Sequence, residues 1–277
     1  MSWIYKMLKG PFYGSYRGKG GSIPEIDGSA TWKELTYKSK SGAMLSALLG
    51  TVQENKQKAT IVLGHPACKE GKHYFVNSGY ANFLMENGYN VLIFDLNGFG
   101  KSTCGNFSFH EDIIASGEKA KEIFPDLPMG YHGVAMGAHW ATIAFAEIDH
   151  RFSFAILESA ATSWMEFWAA SAKARWMIRF LYPFFPGLRK NSKMIERVKD
   201  IKNIQSILFV YSKKDKLTPV SMGEKYKASC KLITDLWTVE SAEHANIIGS
   251  DEKEQYLEKI LDYVHFQQLH FYKKNNF

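Results

Sequence analysis

Three positions in the chain could take part in acyl transfer, and each follows a stretch that is typical of a buried strand. Residues 133–137 are Gly-Val-Ala-Met-Gly, the G-x-S-x-G pattern of a nucleophile elbow with Ala135 at the serine position. Asp215 follows the stretch SILFVYS, and His244 follows KLITDLWTV. Acyl transfer needs a nucleophile, a base to take its proton, an acid to orient the base, and oxyanion donors. The chain order of nucleophile position, acid and base is the one that such an elbow predicts.

Each position also has a plain structural interpretation. Two glycines flanking a turn allow a strand and a helix to pack closely without any chemistry. Asp215 alone could be a solvated turn residue or a helix cap, and His244 alone could be a surface loop histidine. Glu158, at the end of another strand-like stretch, is an alternative acid. Asp215 is preferred because its turn lies one strand before the histidine loop, and the three positions together favour a catalytic arrangement.

The elements that would position these residues alternate between short apolar runs and amphipathic stretches. Two antiparallel strands, TWKELTYKS and AMLSALLGTV, are predicted to form an N-terminal hairpin around a Lys-Ser-Gly turn. Six further strands are predicted at ATIVLG, YNVLIFDL, MGYHGV, FSFAILES, SILFVYS and KLITDLWTV. Helical stretches between most of these predict an α/β fold with a mostly parallel sheet and helices on both faces. The carboxyl ends of parallel strands share one edge, so the three candidate positions should converge there.

The chain is predicted to be one domain with two additions. Residues 1–30 show no clear period and are interpreted as an N-terminal arm lying over a domain of residues 31–277. After the sixth strand, residues 160–203 are predicted to form an inserted helical lid of two segments, rich in aromatic side chains. The lid should cover the sheet edge where open α/β sheets bind ligands. We therefore predict that Trp164, Trp168 and Trp176 bind substrate, although part of this aromatic stripe must also pack the lid.

Composition narrows the class of protein. A chain of 277 residues, 45% hydrophobic, can build one sizeable core. The net charge of +6 is spread among 28 acidic residues, which argues against a nucleic-acid partner. Three cysteines without ligand spacing, no signal peptide and no apolar run of about 20 residues predict a cytoplasmic protein without integral membrane association. The sequence does not indicate an oligomeric state.

Neither a cofactor nor a metal is expected. The segment NGFGKST lacks the first glycine of a phosphate-binding loop, and its glycines do not make a dinucleotide fingerprint. Four histidines could be imagined as metal ligands, but no carboxylate or cysteine joins them at ligand spacing, so structural roles are favoured. They are His65, His110, His132 and His139.

From about residue 31 to about residue 270 the chain resembles the α/β-hydrolase fold family, in its branch of lidded serine esterases, lipases and thioesterases. LGHPA (63–67) is similar to the family's His-Gly oxyanion loop, and DLNGFGKST (95–103) to its Asp-x-x-Gly-x-Gly-x-Ser segment. The resemblance implies that the N–H groups of Ala67 and Met136 form the oxyanion hole. Pro66 stands where the family usually has glycine and has no N–H, so Ala67 must be the donor. The N–H of Met136 would open a helix, which favours an anion there.

The main departure from the family is Ala135, which has no oxygen that could form an acyl-enzyme. Cys68 beside the oxyanion loop is a poor substitute, because it lies at the wrong strand end for assistance by His244. Residue 135 was either changed from serine to prevent turnover, or the protein is a natural non-catalytic relative. The intact acid, base and oxyanion loop favour the former.

The resemblance implies a hydrolase of a carboxylic ester or thioester with an apolar acyl or aromatic group, in a form without its nucleophile. A ligand-binding protein and an acyltransferase using the same site are the alternatives. The basic residues near the lid aromatics could also favour a membrane surface or an acidic, carrier-bound substrate, although a charged outer face is normal for a solvated lid. They are Arg175, Arg179, Arg189 and Lys190.

Overall fold

A computed structural model of the chain describes residues 2–16 and 31–275. Eight strands lie in one sheet: β1 (Thr31–Lys38), β2 (Met44–Thr51), β3 (Ala59–Gly64), β4 (Tyr89–Phe94), β5 (Met129–Val134), β6 (Phe154–Glu158), β7 (Ser206–Ser212) and β8 (Ile233–Val239). Their spatial order is β1-β2-β4-β3-β5-β6-β7-β8. The β1–β2 and β2–β4 pairs are antiparallel and all other pairs are parallel. The predicted α/β class and N-terminal hairpin are therefore confirmed.

The helices of the described residues lie on both faces of this sheet or in the lid. They are α1 (Ser2–Tyr13), α2 (His73–Asn77), α3 (Tyr80–Glu86), α4 (Phe109–Ile123), α5 (Met136–Ala144), α6 (Trp164–Phe167), α7 (Ala172–Leu181), α8 (Pro186–Asn191), α9 (Met194–Arg197), α10 (Val220–Ser229) and α11 (Lys253–Asn275). Short 3-10 turns occupy Gly14–Tyr16, Glu54–Lys56, Val198–Asp200 and Ile247–Gly249.

Burial of the central strands explains why they form a parallel sheet. Every residue of β3, β4, β5, β6 and β7 is buried, whereas β8 at the edge is partly exposed. Strands that are apolar on both sides need helices on both faces. One core layer includes side chains of α4, α5 and α10, and the other includes those of α3 and α11. The sheet edge that carries the candidate positions is thus fixed by core packing from both sides.

The helical elements differ from the sequence prediction in detail. The stretch after β3 forms two short helices rather than one, because the chain turns at Gly79, whose φ is +78°. The lid, inserted after β6 as predicted, contains the four short helices α6 to α9 instead of two segments. Residues 2–13 of the predicted arm form helix α1, while residues 17–30 lie outside the described residues.

Helix α1 packs against the domain through aromatic and basic side chains. Phe12 and Tyr13 are buried, and the ring of Phe12 lies 4.7 Å from that of Trp164 in the lid. The side chain of Lys9 is buried as well, donates a hydrogen bond to Asn97 and lies 4.1 Å from the centre of the Phe109 ring.

The closest approach in the sheet is between the start of α5 and strands β3 and β5. A Cβ placed on Gly133 would lie 2.7 Å from the carbonyl carbon of Gly137, and a Cβ on Gly137 would overlap the backbone of Gly64. Backbone atoms at both contacts cannot rotate away as a side chain can. The two glycines of the G-x-x-x-G pattern are therefore required by sterics, as expected from the sequence.

Gly137→Ala is expected to lower the free energy of unfolding by about 3 kcal/mol or more, since the added methyl must displace backbone of β3. Gly187→Ala in α8 is the matched control, because a Cβ there meets no atom within 4 Å. The control should be neutral or slightly stabilising. Urea unfolding of both variants measures the difference, and equal stabilities would contradict the steric argument.

Candidate active site

Ala135 lies at the apex of the elbow in a strained backbone conformation. Its φ and ψ are 45° and −106°, in a region that side-chain-bearing residues rarely adopt. Its N–H donates to the carbonyl of Glu158 at 2.9 Å, and its own carbonyl accepts from the N–H of His139 at 2.8 Å. The backbone of residue 135 is thereby held from the neighbouring strand and from its own helix. This conformation presents the methyl group where a hydrolase would present an oxygen.

His244 and Asp215 form a hydrogen-bonded pair beside the elbow. The Nδ1–H of His244 donates to Oδ2 of Asp215 at 2.8 Å. Asp215 Oδ1 accepts from the N–H groups of Leu217 and Thr218 at 2.8 and 3.0 Å, and Oδ2 also accepts from the Thr218 hydroxyl at 2.5 Å. Because Nδ1 carries the proton toward Asp215, Nε2 of His244 is left as the basic atom.

The charge of Asp215 is kept in a fully buried side chain. Burial alone would raise the pKa of this carboxyl, but the hydrogen bond and charge of His244 and the hydrogen bonds from Thr218 outweigh it and lower the pKa. Asp215 is therefore a carboxylate at neutral pH. It orients the imidazole and would stabilise an imidazolium.

The loop that carries His244 is tied to two other elements. The hydroxyl of Tyr74 donates to the carbonyl of Ala245 at 2.9 Å, and that of Ser212 donates to the carbonyl of Ala242 at 2.5 Å. Ala245 has a φ of 54° and Ser159, which follows β6, has a φ of 53°. With Ala135, three of the four described non-glycine residues with positive φ lie at this sheet edge. Such clustering of backbone strain is typical of functional sites.

The oxyanion donors inferred from the resemblance are held by His65. The Nε2 of His65 accepts from the N–H of Leu96 at 3.0 Å, so its proton is on Nδ1, which donates to the carbonyl of Pro66 at 2.6 Å. The carbonyl of His65 accepts from the N–H of Gly137 at 3.2 Å. Met136 is the first residue of α5, and its N–H has no acceptor within the helix. The loop of Ala67 and the start of α5 are thereby joined through one buried histidine.

Beneath this loop lies a buried ion pair. Lys72 Nζ lies 2.7 Å from Asp95 Oδ2, and both side chains are about 1% exposed. Asp95 also accepts from the backbone N–H groups of Lys72 and Lys101, at 2.8 and 3.0 Å. This carboxylate is the first residue of the Asp-x-x-Gly-x-Gly-x-Ser segment. It joins Lys72, at the start of α2, to the chain that follows β4.

A cavity of about 430 Å³ opens at this edge of the sheet. Six of the site residues predicted from the sequence line it: Ala67, Ala135, Met136, Trp164, Trp168 and His244. Asp215 lies behind His244. Trp176 is the exception among the predicted site residues, because its side chain is 65% exposed and stacks on Phe180 at 5.7 Å, away from the cavity. The aromatic content of the lid did not distinguish its inner side from its outer side.

Tyr13 and His139 are among the cavity residues that were not predicted from the sequence. Tyr13 belongs to α1, whose residues gave no periodic signal. His139 was expected to have a structural role, and its Nδ1 does accept from the N–H of Ala161 at 2.9 Å. That bond leaves the proton on Nε2, which has no acceptor among the described residues, and burial lowers the pKa of His139 to about 3. His139 lies one turn after Ala135 in α5, a position that could have indicated the site.

The family model Hydrolase_4, described as "Serine aminopeptidase, S33", matches residues 55–208, more than half of the chain. The chain belongs to the Hydrolase_4 family. No curated protein matches it.

Solved structures similar to this Hydrolase_4 member share its fold. The esterase Pf2001 of Pyrococcus furiosus has a TM-score of 0.67 at 19% identity, covering 90% of this chain and 98% of that one. The acylaminoacyl peptidase of Pyrococcus horikoshii has a TM-score of 0.63 at 16% identity, covering 86% of this chain and 42% of that one. Est1E of Butyrivibrio proteoclasticus, solved with ferulic acid, has a TM-score of 0.62 at 17% identity, covering 84% of this chain and 98% of that one.

Within residues 2–16 and 31–275, no group of three or more His, Cys, Asp or Glu side chains could hold a metal ion. No helix in the described ranges is long and apolar enough to span a bilayer.

Cys68 and Glu158 were the alternatives to the main site residues. Burial raises the pKa of the Cys68 thiol to about 12, so it is protonated and a weak nucleophile at neutral pH. Glu158 is buried and accepts from the Tyr256 hydroxyl at 2.6 Å, whereas the carboxylate bonded to His244 is that of Asp215. Burial raises the pKa of Glu158 to about 7.

Ala135→Gly is expected to raise the free energy of unfolding by about 1 kcal/mol, because glycine relieves strain at φ 45° while the lost methyl faces a cavity. Ala138→Gly, three residues on within helical α5, is the control and should lower it by about 1 kcal/mol. Thermal unfolding with calorimetry measures both. A loss of stability in both variants would show that the backbone at 135 is unstrained.

Glu158→Gln is expected to remove a fall in stability with rising pH. Because the pKa of Glu158 is raised in the folded state, its contribution to stability is fully present below the ordinary pKa of glutamate. That contribution is lost as the pH rises through about 7. Between about pH 5 and about pH 8, the parent should lose about 2–3 kcal/mol more than the variant. Urea unfolding at the two pH values tests this, and parallel pH profiles would contradict it.

Proposed function

We propose that this site is built for cleavage of a carboxylic ester or thioester with an apolar acyl or aromatic group. With Ala135 at the apex, the chain binds such a ligand without forming an acyl-enzyme. The observation that carries the proposal is the His244–Asp215 pair at the wall of the same cavity as the strained residue 135. A strand-to-helix turn without a chemical role could use glycine at lower cost in backbone strain.

In the form with serine at residue 135, each group of the site would have a defined step. The hydroxyl would attack the acyl carbon while Nε2 of His244 takes its proton, and Asp215 would stabilise the imidazolium. The N–H groups of Met136 and Ala67 would donate to the oxyanion. His244 would then protonate the leaving alcohol or thiol, and a water activated by the same Nε2 would release the acid.

Without the hydroxyl, this covalent route is closed. Loss of the nucleophile in a serine hydrolase lowers turnover by about a millionfold and leaves only oxyanion and binding effects. The cavity itself is unaffected by this loss, because its wall is made by Trp164, Trp168 and Phe167 together with the oxyanion loop. The present chain is therefore expected to bind substrate and product acids.

The substrate class follows from the character of the cavity wall. Most of the lining is apolar or aromatic, which suits an acyl chain or a ring. The Nε2–H of His139 and the indole N–H of Trp168 have no acceptor among the described residues. Buried donors of this kind favour a ligand that carries an acceptor oxygen. The ferulic acid in the similar Est1E structure is an acid of this general character.

Ala135→Ser is expected to create hydrolysis of nitrophenyl esters and labelling by a fluorophosphonate, because the new hydroxyl lies at the elbow apex beside His244. The gain over the parent should be at least about a thousandfold. Cys68→Ser is the matched control, since it adds a hydroxyl to the same cavity away from the apex. Adding His244→Ala to Ala135→Ser should abolish the gained activity.

The substrates tested on the Ala135→Ser variant should include short-chain, long-chain and aromatic esters as well as a thioester. Absence of both labelling and turnover in the Ala135→Ser variant, with binding of a product acid retained, would favour a natural binding protein. Product formation that depends on an added alcohol or amine would instead indicate an acyltransferase.

A further inference from the structure

Helix α1 and the outer side of the lid expose large apolar side chains. Six of them are between 37% and 67% exposed, and we name them together the outer apolar face: Trp3, Ile4, Met7, Trp176, Phe180 and Phe184. The two elements meet where the ring of Tyr5 lies 6.0 Å from that of Phe185. Single exposed apolar residues are common on proteins, but a group on two adjoining elements marks a binding surface.

The lid part of this face is a continuous aromatic ladder. Trp176, Phe180 and Phe184 are spaced four residues apart, with ring centres 5.7 and 5.4 Å from one another. The opposite side of α7 is buried in the core through Ala174, Ile178 and Leu181. Helix α7 is thus apolar on the side facing solvent as well as on the side facing the domain. Lid packing explains only the inner side.

The two chain segments that carry this face are basic. Residues 2–16 and 168–195 contain eight lysines and arginines and no aspartate or glutamate. The net charge of the whole chain is +6, so the remaining residues carry a small excess of acidic side chains. Next to the aromatic ladder, a groove of about 550 Å³ is lined by Pro183 and the basic side chains of Arg189 and Lys190, and also by Glu196 and Asp200. These two basic side chains and Lys193 are exposed.

We propose that the outer apolar face docks the protein on an anionic lipid bilayer surface. The aromatic ladder and the side chains of α1 would enter the level between headgroups and acyl chains. The surrounding lysines and arginines would lie against lipid phosphates, with the groove at Arg189 and Lys190 receiving headgroups. This is a peripheral contact and needs no spanning helix.

Charge and shape favour a membrane over a second copy of the chain. Because Lys9 is buried, a two-fold dimer through this face would bring seven basic side chains against the same seven, and neither segment contains a carboxylate. A bilayer provides both parts of the complement, an apolar interior and a layer of negative charge.

The proposed docking would bring the cavity close to the bilayer. Tyr13 of α1 and Trp164 and Trp168 of the lid line the cavity, and they belong to the two elements that carry the outer apolar face. An apolar ligand could then pass between the bilayer and the cavity with little exposure to water. This consequence rests on the proposed function, whereas the docking itself does not.

The test is cosedimentation of the full chain with two kinds of vesicle, one of phosphatidylcholine alone and one of equal parts phosphatidylcholine and phosphatidylglycerol. Binding to the anionic vesicles is expected, with weakening as salt rises, and much weaker binding to the neutral vesicles. The triple variant Trp176→Ser, Phe180→Ser, Phe184→Ser should bind the anionic vesicles at least about tenfold more weakly.

A matched control removes three exposed apolar side chains elsewhere, by Ile148→Ser, Ile233→Ser and Phe266→Ser. This control should bind like the parent. The role of charge is tested with the double variant Arg189→Glu, Lys190→Glu. At low salt it should weaken binding to the anionic vesicles more than the control double variant Lys33→Glu, Lys38→Glu, which changes β1. Circular dichroism and thermal unfolding verify that each variant is folded.

Absence of anionic-vesicle binding by the folded parent would overturn the proposal. Equal losses in the face variant and its control would do the same. A concentration-dependent dimer in light scattering, lost in the triple variant without any vesicle binding, would assign the face to self-association. None of these outcomes depends on hydrolysis, so failure of the docking and failure of the proposed function are distinguishable.

Discussion

The close approach of helix α5 to strands β3 and β5 is the constraint on which the site depends. With no Cβ at Gly133 or Gly137, the helix can begin almost against the backbone of Gly64. The chain must then turn within one residue, and that residue takes the strained conformation of Ala135. Because the turn is so tight, Met136, the first residue of α5, lies at the cavity wall. Packing and chemistry at this edge therefore follow from a single steric requirement.

The charge state of the carboxyl groups at this sheet edge also depends on their hydrogen-bond donors. Asp215 is buried but remains charged because two backbone N–H groups, a hydroxyl and the imidazole of His244 all donate to it. Glu158, one strand away, accepts from the Tyr256 hydroxyl, and burial raises its pKa. Two carboxyl groups at neighbouring strand ends thus have opposite pKa shifts because their donors differ. Only the one with the full set of donors is suited to orient a base.

The sheet and the positions of Ala135, Asp215 and His244 at its edge could be predicted because they rest on local signals. Five central strands are mostly apolar and are buried throughout, and turns rich in glycine or polar residues bound them. Helix α1 could not be predicted, since Gly10 and Pro11 interrupt any helical pattern and its burial depends on lid residues far along the chain. Trp176 was assigned to the cavity because the lid is rich in aromatic residues, and that composition does not show which layer a ring faces. The role of His139 depends on which of its ring nitrogens accepts the hydrogen bond from the N–H of Ala161. The sequence does not show that directly.

The contact between α1 and the lid also bears on how the chain folds. Phe12 touches Trp164, so the first helix meets its partner only after some 150 intervening residues have been synthesised. Until then, the rings of Phe12 and Tyr13 and the ammonium group of Lys9, which are buried in the folded chain, lack part of the side chains that cover them. The cavity wall is consequently among the last parts of the molecule to assemble during translation. A ribosome pausing within the sheet would leave α1 as an exposed amphipathic segment, available to chaperones in the meantime.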